Sequence, residues 1–429
     1  MLQRYFKLAE HGTDVRTELL AGITTFLTMA YILFVNPAIL AETGMDQGAV
    51  FVATCGAAIV GTLIMGLYAN YPIALAPGMG LNAYFAYTVV LTLGYRWQVA
   101  LGAVFVSGVL FILLSLLRVR QYVINSVPGT LKLAISAGIG LFLGVIALQN
   151  AGIVVGHPTT LVTLGDMRRP EPALALLGFA LIAALVRRKV PGAVIIGILV
   201  VTALGLPLGL ASFQGIVAPP PDPRPTFLAL DVGATFEIGF VTVIFTFFFV
   251  DLFDTAGTLI GVAHRAGLLD REGNLPRLSR ALLADSSATV VGSVLGTSTV
   301  TSYIESAAGT NVGGRTGLTA VVVAALFGLA LFFAPLAAMI PAYATAGALL
   351  FVAALMARGF AEIDWEDVTE YGPAVIAAIA MPLTFSIATG IGFGFIAYTA
   401  SKLLSGRLRE ISPAVVVISL LFALKFAIS

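Results

Sequence analysis

In Phe245-Thr246-Phe247-Phe248-Phe249-Val250-Asp251-Leu252-Phe253-Asp254-Thr255-Ala256-Gly257-Thr258, the polar residues Asp251, Asp254, Thr255 and Thr258 stand at i, i+3, i+4 and i+7. On a helix they share one face. An ionisable group in the middle of a membrane costs several kcal/mol unless it is paired, neutralised or hydrated, so acids in such a run mark a solute or proton path. The plainer roles for these acids are capping a helix end and pairing with a neighbouring helix, more so for Asp254 than for Asp251. A further carboxylate, Glu305, follows the run Thr297-Ser298-Thr299-Val300-Thr301-Ser302 and is expected about two turns into a short helix. Its plainer role is a buried ion pair, with Arg315 as partner. Asn82 follows Gly78 and Gly80, which permit close backbone approach; the alternative for Asn82 is inter-helix glue. A carboxylate beside an amide can take two parallel N–H bonds from the edge of a heterocycle, and Phe85, Phe249 or Tyr303 can stack on its face. Such a pocket suits a flat, polar, mostly neutral ligand.

The surroundings of these groups are lipid. A chain of 429 residues with 59% hydrophobic and 10% charged residues, and a mean hydropathy of +1.01, cannot hide that surface in a soluble globule. A net charge of +1, with no basic tract longer than Arg187-Arg188-Lys189, leaves no footprint for nucleic acid. The single cysteine, Cys55, has no partner for a disulfide, and no cofactor or metal site is expected. His11, His157 and His264 fall in loops or at span ends, away from any expected proton path. There is no H-E-x-x-H or other nucleophile or metal set, so an enzyme is not expected. Isolated polar positions do not make the continuous path of a channel.

Apolar stretches of spanning length number about 14. Seven fall roughly at 17–41, 48–69, 74–92, 96–118, 131–151, 171–187 and 191–211. Seven more fall roughly at 236–263, 278–296, 299–313, 316–336, 341–358, 371–387 and 388–405. The first repeat is placed in 1–217, a stiff Pro-rich linker in 218–235, the second repeat in 236–410, and an apolar tail in 411–429 that is either a fifteenth span or an interfacial helix. An odd number of spans per half inverts the second half. The third and tenth spans are too short and too interrupted to be ordinary helices, reading as extended residues followed by a stub of helix. Broken segments at matching places in two halves mark the substrate site of an inverted-repeat transporter, with stub N-termini and their amide donors facing a small pocket. The run Gly138-Ile139-Gly140 to Gly144 is packing rather than a nucleotide loop. Most of the 23 lysines and arginines fall on the cytoplasmic side if the N-terminus is inside, and the first span lacks a cleavage site. A multi-pass protein of the cell's inner (plasma) membrane is expected.

Two further stretches carry a family pattern: Thr17-Glu18-Leu19-Leu20-Ala21-Gly22-Ile23-Thr24-Thr25-Phe26-Leu27-Thr28-Met29-Ala30-Tyr31, and Ala76-Pro77-Gly78-Met79-Gly80-Leu81-Asn82-Ala83-Tyr84-Phe85. With Asp251–Thr258 and Glu305-Ser306-Ala307-Ala308-Gly309-Thr310, the chain resembles the AzgA-like branch of the nucleobase-ascorbate transporter superfamily over nearly its whole length. The resemblance implies uptake of the purine nucleobases adenine, guanine and hypoxanthine with a proton as co-substrate, and a homodimer. It also implies a core of spans 1–4 and 8–11 moving against a gate of spans 5–7 and 12–14. By position it assigns substrate contacts to Asn82, Asp251 and Glu305, and a role to Asp254. The wider superfamily has a histidine motif in the first span, where this chain has Thr24, Thr25 and Thr28. Thr24, Thr25, Gly80, Thr255 and Ser302 complete the expected substrate contacts, and Asp251, Asp254 and Glu305 the expected proton-coupling groups. Proton and base cross together because a loaded core carries no uncompensated charge past the apolar gate. Another small solute on the same fold, such as a pyrimidine base, xanthine, urate or an anion, and sodium in place of the proton, are the alternatives.

Overall fold

The computed structural model describes residues 2–116, 126–236, 240–270 and 275–428. Arg118, Arg120 and Arg271, and residues 237–239 near the expected start of the eighth span, lie outside this set. The architecture is all-α, with spans close to the expected boundaries. In the first half they are Val15–Met29 with Ile32–Ala41, then Gln47–Ile64 (wound on to Ala69), the broken third span, Trp97–Leu116, Gly129–Asn150, Pro170–Arg187 and Ala193–Gly205. In the second half they are Phe240–Arg265, Leu278–Leu295, the broken tenth span, Gly317–Ala330 (continued to Ala338), Ala342–Ala357, Val368–Leu383 and Ile387–Leu404. Among the described residues, eight helices are long and apolar enough to cross a membrane. The first span, expected as one helix, is interrupted after Met29. Thr28 turns its hydroxyl back onto the carbonyls of Thr24 (3.0 Å) and Thr25 (2.8 Å), a bond that bends helices, and Pro37 withholds a donor inside the segment that follows.

The two broken spans meet as a pair of strands. Leu75–Pro77 runs antiparallel to Val300–Ser302, with Leu75 opposite Ser302, Ala76 opposite Thr301 and Pro77 opposite Val300. Flanking bonds repeat the relation: Gly78 N–H donates to Thr299 O and Tyr303 N–H to Ala74 O, each at 2.9 Å. A local two-fold therefore passes through the Ala76–Thr301 pair. Each strand hangs from one threonine of the preceding helix. Thr62 Oγ1 donates to Leu75 O (3.0 Å) and accepts from Leu75 N–H (2.9 Å). Thr289 Oγ1 does the same for Val300, at 3.0 and 3.2 Å. One hydroxyl thus satisfies both backbone groups of a residue that no helix serves, which an apolar interior requires. Thr62→Val and Thr289→Val should each cost roughly 1–3 kcal/mol, because an unpaired buried amide and carbonyl remain. Thermal unfolding in detergent checks this, and an unchanged melting temperature in both would refute the suspension.

Strand pairing also corrects the expectation for Glu305. It does not lie two turns into a helix: it is the N-cap residue of the short helix Ser306–Val312. Residues 300–302 are held extended by their partners, so winding begins only after Tyr303. The third span resumes as Met79–Ala83 and then the wider, π-helical Tyr84–Thr92.

The helices pack in two groups. The fifth span lies on the twelfth and thirteenth, the thirteenth on the fourteenth, and the sixth and seventh on the twelfth. In the other group the ninth lies on the second and fourth, the eleventh on the first and second, the eighth on the fourth, and the tenth half-helix on the first. Glycines set the close approaches. A Cβ on Gly138 would stand 2.6 Å from Met381 Sδ, and one on Gly140 2.7 Å from Met356 Cβ, so that glycine run serves packing. Residues 218–235 lie along the spans, with Leu228 N–H on Val294 O (2.8 Å) and Asp231 paired to Arg96 (2.9 Å). The tail forms a helix, Pro413–Ile428, about 24 Å long. It rests on the fourteenth span through Ser419–Thr399 (2.6 Å) and sets Phe422 against Phe395, Phe245 and Phe249.

Candidate functional site

The strand pair brings the two half-helices together, and the expected polar residues gather around it. Glu305 is partly exposed at the start of the tenth half-helix, and its Oε1 accepts the Tyr31 hydroxyl at 2.5 Å. Tyr31 stands at the break in the first span. Tyr303 ties the two broken spans together, its hydroxyl donating to Pro77 O at 2.6 Å. Asn82 is fully buried in the third half-helix; its Oδ1 accepts from the Ser298 hydroxyl, while its Nδ2 has no hydrogen-bond partner. Thr25 Oγ1, Thr299 Oγ1 and Ser302 Oγ are likewise buried without partners. Buried polar atoms left open are costly, and Asn82 Nδ2, Thr299 Oγ1 and Ser302 Oγ stand together at the strand pair and the half-helix that follows it.

On the eighth span the shared face is realised. Thr255 Oγ1 lies 2.8 Å from Asp285 Oδ1 and 3.2 Å from Asp251 Oδ1, so its single proton is placed between two buried carboxylates. Asp254, half-buried, accepts from Thr301 and lies within electrostatic range of Asp285 and Glu305. Ionising all these acids together would set like charges against one another in an apolar surround. Among the described residues, no group of three or more His, Cys, Asp or Glu is arranged to hold a metal ion.

Thr24 bonds back to Leu20 O (2.8 Å) on its own helix. Thr25 lies beneath the tenth half-helix, where a Cβ on Gly309 would stand 2.1 Å from its Oγ1. Gly80, related to Glu305 by the local two-fold, abuts the fifth span: a Cβ there would stand 2.6 Å from Ile139 Cγ2. Ser302 is a strand residue facing Leu75. Of the aromatic candidates, Phe85 packs near Phe247, and Phe249 packs with Phe245 and Phe422 of the tail helix. Arg315 is not the partner of Glu305; its guanidinium donates to the carbonyls of Thr310 (2.5 Å) and Gly314 (2.8 Å).

Four residues of this region escaped the sequence reading: Tyr31 and Ser298 as ligands of Glu305 and Asn82, Asp285 as the far end of the Thr255 bridge, and Asn36. Asn36 Nδ2 donates to Thr54 Oγ1 (2.7 Å) and Thr297 Oγ1 (2.9 Å), tying the first, second and tenth spans. Asp285 carried a usable signal, since it lies inside the apolar ninth span. Tyr31 carried none.

The model of the permease family Xan_ur_permease matches residues 16–393. The chain is 51% identical over 425 residues to the adenine permease AdeP of Escherichia coli, covering 99% of this chain and 96% of that protein. It is 45% identical over 437 residues to the guanine/hypoxanthine permease PbuG of Bacillus subtilis, covering 99% of each. Among solved structures, the transmembrane domain of the cyanobacterial bicarbonate transporter BicA superposes with a TM-score of 0.66 at 17% identity, covering 88% of this chain and 96% of that one. That likeness concerns the fold.

Proposed function

On the premise that the chain belongs to this permease family, and is a membrane transporter rather than an enzyme, we propose that it imports purine nucleobases by proton symport with alternating access. The observation that carries the reading is the pairing of two half-helices that present a carboxylate, Glu305, and an amide, Asn82, with Nδ2 left open. The carboxylate accepts N–H groups of the base and the amide donates to a ring nitrogen or carbonyl oxygen. Relatives named for adenine and for guanine/hypoxanthine flank the chain, so the purine class is proposed rather than one base.

The coupling proton resides on the acid cluster, Glu305, Asp254 and Asp251, to which the Thr255 bridge adds Asp285. Protonation removes the charge that the core would otherwise carry past the gate, so base and proton move together. The core is spans 1–4 and 8–11, and the gate spans 5–7 and 12–14, in keeping with the two packing groups.

Alternating access is supported by an asymmetry between the half-helices. The third is closed against the gate: Thr88 Oγ1 donates to Phe385 O (2.6 Å), Phe385 holds φ of 48° and meets Phe142 edge-on, and Gly80 abuts Ile139. The tenth packs instead on the first and eighth spans of its own group, with Ile304 beside Glu305 exposed at 51%. The N-terminus is cytoplasmic, as the arginine and lysine distribution favours. A plasma-membrane location and a homodimeric state complete the proposal.

Uptake of labelled adenine, guanine, hypoxanthine, xanthine and uracil in a host lacking base transport tests the reading. The expected result is purine uptake that collapses with a proton uncoupler and is indifferent to sodium. Uptake of uracil alone, or purine uptake unaffected by the uncoupler, would overturn it.

A further inference from the structure

Glu305 ends in a flexible side chain, yet a substrate carboxylate that swings would have to be ordered afresh at each binding event. The chain supplies a fixed point for it. Tyr31 is 2% exposed, and its hydroxyl meets Glu305 Oε1 at 2.5 Å. The phenol is itself anchored, because Tyr31 begins the outer segment of the first span, where its carbonyl accepts from Phe34 N–H and Val35 N–H, both at 3.0 Å. On the other side the Glu305 backbone is pinned by Ala308 N–H on its carbonyl (2.9 Å), with the Thr28 hydroxyl at 3.5 Å from the same oxygen. The bond thus joins two rigid helix starts 274 positions apart in sequence.

We propose that Tyr31 is the positioning residue of the substrate carboxylate. Its hydroxyl holds Oε1 so that Oε2 is presented to an N–H of the purine base in one direction. The phenol has one proton to give, so one carboxylate oxygen is committed and the other stays available. The break in the first span follows from the same need: a continuous helix would turn residue 31 differently, and the break after Met29 sets the ring against the tenth span. The inference rests on the reading that Glu305 contacts the base, and deepens it.

The test is Tyr31→Phe, which deletes the hydroxyl and keeps the ring. The expected result is a KM for hypoxanthine raised about tenfold, the loss of one charge-assisted bond's worth of preorganisation, with kcat within about twofold of wild type. Glu305→Asp, which withdraws the carboxylate from the phenol by one methylene, should raise KM similarly. Binding of labelled hypoxanthine to purified protein closes the cycle: in the Glu305→Asp background, adding Tyr31→Phe should change affinity by less than about twofold. An unchanged KM in Tyr31→Phe, or a fall in kcat and melting temperature at constant KM, would refute the positioning role while leaving Glu305 as the base contact. Undiminished hypoxanthine binding in Glu305→Gln would instead refute the underlying reading, and the inference with it.

Discussion

Glu305→Gln yields a protein that folds and reaches the membrane but takes up purine bases at least about a hundredfold more slowly than wild type. Glutamine keeps the length of the side chain and an oxygen that can still accept from Tyr31, so the bond at 2.5 Å and the half-helix start are preserved. What disappears is charge. A hydrogen bond to an ionised group is worth roughly 1.5–3 kcal/mol, or about ten- to a hundredfold in binding, and the amide presents a donor where the base needs an acceptor. The same substitution removes a proton acceptor from the cluster that includes Asp254. Initial rates of hypoxanthine uptake, normalised to membrane-inserted protein, measure the effect. A rate within threefold of wild type would sink the assignment of Glu305.

The second large effect concerns stability. Glu18 is fully buried, and its carboxylate accepts from the backbone N–H groups of Arg315 (2.9 Å), Thr316 (3.2 Å) and Thr319 (3.1 Å), and from the Thr319 hydroxyl (2.6 Å). These amides open the eleventh span, Gly317–Ala330, so a residue of the first span caps a helix 297 positions later. The negative charge also complements the positive end of that helix. Glu18→Ala strands these donors in the protein interior and should destabilise it by roughly 3 kcal/mol or more, with a sharp drop in the amount recovered from membranes. Glu18→Gln, which retains an acceptor, should lose less. Thermal unfolding of the purified variants separates the two, and equal melting temperatures for wild type and Glu18→Ala would show that water or a neighbouring group replaces the cap.

Glu305 illustrates what was legible and Glu18 what was not. Glu305 stands out in the sequence as a carboxylate inside an apolar stretch, which membrane energetics marks as needing partners, whereas Glu18, near the start of the first span, shows there only as part of a family pattern. Their partners were not visible. Arg315 is the ion-pair alternative for Glu305 in the sequence, and the chain instead uses its guanidinium on the carbonyls that close the tenth half-helix and its backbone N–H on Glu18. Likewise Asp251 and Asp254 were evident as one helix face, whereas Asp285, their neighbour across the Thr255 hydroxyl, comes from the next span.

By itself the sequence determined the membrane class, the order of the spans, the interruptions of the third and tenth, and the acids of the eighth and tenth spans that lipid could not tolerate unaccompanied. Each of these follows from local hydropathy and from the rule that backbone groups in lipid need partners nearby. The tertiary structure alone decided that the interruptions pair as antiparallel strands hung from Thr62 and Thr289, and that Glu305 therefore starts a helix rather than lying within one. It also brought Tyr31 to that carboxylate. The reason is the reach of the interactions: hydropathy is summed along the chain, whereas a hydrogen bond between residues hundreds of positions apart depends on how whole spans pack.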